Sequence, residues 1–97
     1  MIVYGYAKDF YYTSDGTLEV QVRVPSIHGA FELKDYKGKT PRGYVQDSDL
    51  PYYNSLLLPR DPSDGDVVML MTTNEKGRDL IVIGLTGGSY YKGFIIQ

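Results

Sequence analysis

The chain has 97 residues, room for one domain, and at this length roughly 60 to 70% of the unfolded surface is buried on folding, so one modest core is available. It contains no cysteine, which excludes disulfide frameworks and thiolate metal sites and leaves packing and sheet hydrogen bonds to hold the fold. A formal charge of −2 gives no general electrostatic reason to collect on nucleic acid or on anionic lipid.

The stretch from Met1 to Phe10 is apolar and aromatic but lacks a basic leader, and Lys8 and Asp9 interrupt it before signal-peptide or membrane-spanning length. A soluble chain made in the cytosol is expected. Ile2 to Tyr12 is rich in β-branched and aromatic residues and reads as a first strand, followed by turn chemistry at Thr13-Ser-Asp-Gly16. Thr17 to Pro25 then alternates, with Leu18, Val20, Val22 and Val24 on one face and Glu19, Gln21 and Arg23 on the other. Together they predict an opening hairpin.

Pro25 cannot donate a ladder hydrogen bond and ends the second strand. Ser26 to Asp49 mixes Gly, Lys, Asp, Thr and Pro without a sustained period and is expected to be a long loop, functional or ordered against a partner, with a short helix near Phe31 to Tyr36 as the alternative there. Tyr52 to Leu58 is a third apolar strand bordered by Pro51 and Pro59, and residues 60–66 form a polar turn. Val67 to Thr73 and Leu80 to Thr86 are apolar runs joined by the polar connection 74–79, a second hairpin. Gly87-Gly88-Ser89 reads as a flexible break, and Tyr90 to Gln97 is too apolar for a solvated tail.

The expected fold is therefore all-β: a small five-stranded antiparallel barrel of the OB-type Greek-key kind, with a long loop between strands 2 and 3. Residues 1–88 would form the barrel and residues 89–97 a C-terminal docking tail. Ten tyrosines against three phenylalanines and no tryptophan suit half-buried sheet faces and protein interfaces, since tyrosine joins a large apolar ring to one polar tip.

The motifs follow one another as an Asp-Gly turn, Val-Arg-Val-Pro-Ser-Ile-His-Gly, Leu-Pro-Tyr-Tyr, Leu-Leu-Leu-Pro, Gly-Asp-Val-Val and Ile-Val-Ile-Gly. That order resembles the OB-fold domain of phage baseplate spike proteins and of the related VgrG spikes of type VI secretion. The residues that carry it are Pro25, His28 and Gly29 after the second strand, Leu50, Pro51 and Tyr52 opening the third, Gly65 and Asp66 before the fourth, and Gly84, Gly87 and Gly88 around the last. The resemblance spans about residues 1 to 88. It implies a structural component of a tail baseplate in the virion, a hub, spike or adaptor subunit that contacts other baseplate, hub or tail proteins and forms a homo-oligomer, a trimer by preference. Spikes of that family often carry a lysozyme domain or a long trimeric β-helix after the barrel. Here the sequence stops within a few residues of it, so another chain would supply the tip, or this one would be an adaptor.

Candidate chemistry is sparse. His28 is the only histidine, and a single imidazole in a loop more often bonds backbone than serves a triad or a metal. Asp61, Asp64 and Asp66 could hold a hard cation but miss the EF-hand pattern, and a solvated turn is the plainer reading. Lys34, Lys37, Lys39 and Arg42 with Tyr36 and Tyr44 have the composition of a single-strand-binding groove, yet Glu32, Asp35, Asp47 and Asp49 offset the charge. A protein-contacting loop is ranked above nucleic-acid binding. Adjacent residues of a strand point to opposite faces, so Tyr52-Tyr53 and Tyr90-Tyr91 should each place one ring inward and one outward. No enzyme, cofactor or metal site is expected, and the expected partner contacts are Tyr36, Tyr44, Tyr90, Tyr91, Phe94, Ile95 and Ile96.

Overall fold

A computed structural model describes residues 1–29, 42–72, 79–91 and 94–96 of the chain, the last two stretches by backbone alone from residue 89 onward. Strand β1 (Ile2–Tyr12) leads through a turn into β2 (Leu18–Arg23) and a single helical turn α1 (Pro25–His28). A 3-10 turn at Asp47–Asp49 precedes β3 (Tyr52–Ser55), and β4 (Asp66–Thr72), β5 (Leu80–Tyr91) and β6 (Phe94–Ile96) follow.

The long strand β1 organises the sheet because its two halves serve two neighbours. Ile2 to Tyr6 pair antiparallel with β4, from Ile2↔Met71 to Tyr6↔Val67. Tyr6 to Tyr12 pair antiparallel with β2, from Tyr6↔Arg23 to Tyr12↔Leu18, with a register shift between Ala7 and Asp9. A shift of this kind bends and twists a strand, and so lets one strand turn a barrel corner. At the crossing, a Cβ on Gly5 would stand 2.6 Å from the carbonyl oxygen of Arg23 and 2.6 Å from Val22 Cγ1. Only glycine lets β1 pass that close over the end of β2.

The β1–β2 turn forms as its residues dictate. Thr13 N–H donates to the Thr17 carbonyl at 2.8 Å, Gly16 N–H to that of Thr13 at 2.9 Å, and the Asp15 carboxylate accepts from the Thr13 hydroxyl and from Thr17 N–H. Beyond β2, Pro25 occupies the first helical position, where its missing N–H costs nothing.

The strands lie in the order β3-β2-β1-β4-β5, and β5 returns to β3, so five strands close a ring, with β6 added on the far part of β5. The closing contact is parallel and consists of the pair Ser55↔Val82. Here the structure corrects the sequence reading: the fold is all-β but the sheet is mixed, not antiparallel throughout. The reason is parity, since strands that alternate in direction around a closed ring of five must bring two neighbours into the same direction.

The alternation expected in β2 is found on its inner face. Leu18, Val20, Val22 and Val24 are buried and pack with Ala7, Val68, Leu70, Leu80 and Val82 to fill the ring. Phe10, Tyr53, Leu58, Leu85 and Val3 seal its margins. The break expected at Gly87-Gly88-Ser89 is instead a bulge within β5, whose pairing with β4 resumes at Asp66↔Ser89. The Thr86 hydroxyl holds it, donating to the Val67 carbonyl at 3.2 Å and accepting from Gly88 N–H at 3.1 Å. The last residues fold back as β6, with Ser89↔Ile96, Tyr90↔Ile95 and Tyr91↔Phe94 paired antiparallel to β5.

Replacing Gly5 by alanine should force β1 away from β2 and cost about 1–3 kcal/mol, the usual range for overpacking. A thermal midpoint lowered by roughly 4–8 °C per kcal/mol is the expected signature. An unchanged midpoint would show that the crossing relaxes freely.

Candidate functional site

Arg23 is on the face of β2 opposite the core, where alternation predicts a solvated side chain, yet it has 0% exposure. Its guanidinium is wrapped by the returning chain. One terminal nitrogen donates to the carbonyls of His28 and Gly29, each at 3.0 Å. The other donates to the Val45 carbonyl and to Asp47 Oδ1 at 2.8 Å. The Tyr44 ring lies over the guanidinium, 4.1 Å from its carbon to the ring centroid, a cation–π contact. Nε is buried with no hydrogen-bond partner among the described residues. Gln21 repeats the device one pair along, donating to the carbonyls of Asp47 at 3.0 Å and Leu50 at 3.1 Å.

Residues 42–50 are thereby strapped across the outer face of β2. Lys8 extends the strap, 3.7 Å from Asp47 and 3.1 Å from Asp64, so it joins the loop, β1 and the 61–66 turn. Gly29 gives the strap its entry: it has φ 83°, and a Cβ there would lie 3.2 Å from Tyr44 Cδ2. Of the Leu-Pro-aromatic motif, Leu50 is 3% exposed, and the Pro51 carbonyl accepts from Val22 N–H at 3.4 Å.

His28 ends the helical turn α1 where the sequence predicts a loop, sits under the same strap and, as expected, bonds backbone. Its Nδ1 accepts the Val24 N–H at 2.9 Å, which places the ring proton on Nε2, 3.3 Å from the Tyr53 hydroxyl. Burial, and then the neighbouring Arg23 charge, push its pKa below the usual imidazole value of 6.5. The neutral ring is therefore part of the folded state, and both nitrogens are engaged.

The three aspartates of the 61–66 turn go to three different partners. Asp61 accepts from the Tyr12 hydroxyl at 2.7 Å, Asp64 pairs with Lys8, and Asp66 accepts from Arg60 and from Ser63 N–H, each at 2.7 Å. The Arg60 bond is the main reason that the Asp66 pKa falls below the ordinary carboxylate value. Gly65 N–H reaches the Ala7 carbonyl at 2.8 Å, latching the Gly-Asp turn onto the bend of β1. Among the described residues no group of three or more acidic, histidine or cysteine side chains converges as a metal site would need.

The outer face of β1, β2 and β3 carries a tyrosine lattice. Tyr11 donates to Glu19 and Tyr52 to Asp9, each at 2.7 Å, and the two rings meet edge to face with centroids 5.2 Å apart. Tyr52 points outward, whereas Tyr53 packs at the margin of the core, the split that strand geometry requires. Beside Tyr52 a cavity of about 460 Å³ opens between β3 and the start of β5, lined by Glu19, Tyr52, Tyr53, Asn54, Asp79, Leu80 and Ile81.

A second surface is apolar. Ile2 and Tyr4 on β1 are 53% and 52% exposed and Met71 on β4 is 43% exposed. The pairs Ile2↔Met71 and Met71↔Ile81 line up the exposed Ile2 and Met71 with the half-buried Ile81 across β1, β4 and β5, and Tyr4 with the half-buried Met69 makes a shorter second row.

Tyr36 and the basic residues Lys34, Lys37 and Lys39 lie outside the described residues, as does the short helix considered near Phe31 to Tyr36. Tyr44 is half-buried on Arg23, and the Tyr90, Tyr91, Phe94, Ile95 and Ile96 backbones lie in β5 and β6. Gly84 lies opposite Met69, and a Cβ on it would meet open space. Sequence reasoning missed Arg23, Gln21 and Gly5. Only Gly5 leaves a local signal, a glycine inside an apolar strand. Comparison with protein families, with curated proteins and with solved structures finds no match for this chain.

Two outcomes test the strap. Arg23→Ala strands Asp47 and three carbonyls and should cost about 3–5 kcal/mol, read as a lower urea midpoint, and Arg23→Lys should not restore it because an ammonium lacks the planar fork. The His28 pKa is depressed on folding, so the folded chain binds fewer protons, and this group's stability is complete above about pH 6.5 and is lost as pH falls through the folded pKa. Thermal midpoints should fall between about pH 7 and pH 5, before the carboxylates titrate, and His28→Asn should flatten that slope.

Proposed function

We propose that the chain is a structural assembly module and not an enzyme: an OB-type barrel that works by protein–protein contact in a phage or phage-like tail baseplate, as hub, spike or adaptor subunit. The apolar row Ile2–Met71–Ile81, flanked by Tyr4 and Met69, carries the assembly reading. Neighbouring exposed apolar side chains on a sheet face mark an interaction surface, whereas single ones do not. The barrel type is supported by the order β4-β1-β2-β3, which is the Greek-key order, and by a ring whose β3–β5 seam is only partly closed. The tail assignment is supported by the order of motifs, and the structure gives several of those residues fixed structural duties: His28 bonds Val24, Leu50 is buried and Gly65 bonds Ala7.

A non-catalytic role fits the use of the titratable groups. The sole histidine spends both nitrogens on the fold, and Asp9, Asp61, Asp64 and Asp66 are each committed to a tyrosine hydroxyl or a cation. Nucleic-acid binding gains nothing from the described residues, since Tyr44 is stacked on Arg23 and the cleft beside Tyr52 is lined by carboxylates.

The expected state is a homo-oligomer, a trimer on the tail axis, bound to hub or other baseplate proteins. Ile2→Glu with Met71→Glu should leave the thermal midpoint within a few degrees, because both side chains are already half exposed, and should weaken self-association or hub binding in analytical ultracentrifugation. Mass spectrometry of purified tail particles should detect the chain. A doubly substituted chain that still assembles, or tails that lack the chain, would remove the corresponding half of the reading.

A further inference from the structure

The seam that closes the ring is also where it opens. β3 and β5 share the pair Ser55↔Val82, and Leu56 N–H bonds the Val82 carbonyl at 2.9 Å. On the N-terminal side of that pair the two strands part around the 460 Å³ cavity, with Tyr52, Tyr53 and Asn54 on one wall and Asp79, Leu80 and Ile81 on the other. Backbone N–H groups alternate sides along a strand. Since that of Leu56 points to β5, those of Asn54 and Tyr52 point the same way, into the cleft. A cleft bounded by a strand edge is a template for an added strand.

Its chemistry is selective. Among the described lining residues are two carboxylates, Glu19 and Asp79, and no cationic side chain. Tyr52 adds a ring held in place by its bond to Asp9 and its contact with Tyr11, a ready partner for a cation. Ile81 belongs both to this lining and to the apolar row on β4 and β5, so the two surfaces adjoin.

The geometry points to the cleft between β3 and β5 as the docking site for an extended peptide segment of a partner protein that carries a lysine or arginine side chain. The segment adds to the β3 edge through Asn54 and Tyr52, and its cationic side chain is received by Glu19 and the Tyr52 ring. This deepens the assembly reading by naming what one face accepts. It is measured on the isolated chain, so it stands or falls separately from whether the chain occurs in tails.

The probe is the capped peptide Thr-Val-Lys-Val-Thr, titrated into isotope-labelled chain while amide resonances are followed. Shifts should concentrate at Tyr52, Asn54 and Ile81, with saturation in the millimolar range or below. Lysine changed to glutamate in the peptide should weaken binding about fivefold or more, as loss of a partly exposed ion pair does. Peptides N-methylated on alternate residues, in both registers, should lose binding in one register, because strand addition needs those N–H groups. Glu19→Gln in the chain should reduce the preference for lysine over glutamate while sensitivity to N-methylation persists, and Tyr52→Leu serves in its place if that variant is unfolded. The proposal fails if no shifts appear at these residues, if both N-methylated peptides bind as well as the parent, or if a thymidine oligonucleotide or a glucose oligosaccharide shifts the same amides and the peptide does not.

Discussion

Strands that each reverse the direction of the one before return to the first with the wrong sense whenever their number is odd. Five strands closed into a ring must therefore place one parallel contact among four antiparallel ones, and here it falls between β3 and β5. That contact joins the two ends of the row β3-β2-β1-β4-β5, which are not consecutive in the chain, so no tight turn sets its register. It is also the shortest, the single pair Ser55↔Val82, where β1–β2 pairing runs from Tyr6 to Tyr12. The cleft beside Tyr52 follows from this weakness, for two strands held together at one point diverge as each keeps its own twist.

The outer face of β2 is held by charge. Arg23 is buried on the outer face of β2, and a buried guanidinium persists only where carbonyls and a carboxylate replace water. The carbonyls of His28, Gly29 and Val45 and the carboxylate of Asp47 do so, and they come from both ends of the loop between β2 and β3. The loop is anchored to the barrel through these bonds, and through Lys8 the anchorage reaches the 61–66 turn. His28 holds its neutral form beneath the same strap, which makes the strap the part of the fold most exposed to mild acid.

These two features divide the labour. The strap covers the outer face of β2, while the apolar row on β1, β4 and β5 and the cleft at the seam stay open. In the proposed assembly role, the adjoining apolar row and carboxylate-lined cleft would be the contact faces. Fixing several neighbours at set angles needs a stiff body with distinct faces more than it needs a reactive centre.

Much of the barrel was legible because its signals are local. Period-two alternation placed Leu18, Val20, Val22 and Val24 inward, Thr13 to Gly16 specified their own turn, and Pro25 and Pro51 stand beside the end of β2 and the start of β3, whereas β3 stops at Ser55 and does not run on to Leu58 and Pro59 as expected. What escaped depends on residues distant in sequence. Arg23 has the same position in the alternation as any solvated residue, and what buries it includes the Tyr44 ring, Val45 and Asp47, the last two 22 and 24 positions later. Asp61, Asp64 and Asp66 look like one acidic cluster until Tyr12 and Lys8 arrive from β1 and Arg60 turns back to take the third. Gly87 and Gly88 read as a break, because the Val67 carbonyl that pins Thr86 belongs to another strand. Sequence by itself determined which side chains face the core and where the chain turns, since both are set within a few residues. Tertiary structure alone decided that five strands close with one parallel seam, that an arginine is buried outside the core, and where the cleft opens, since each needs strands far apart in the chain to meet.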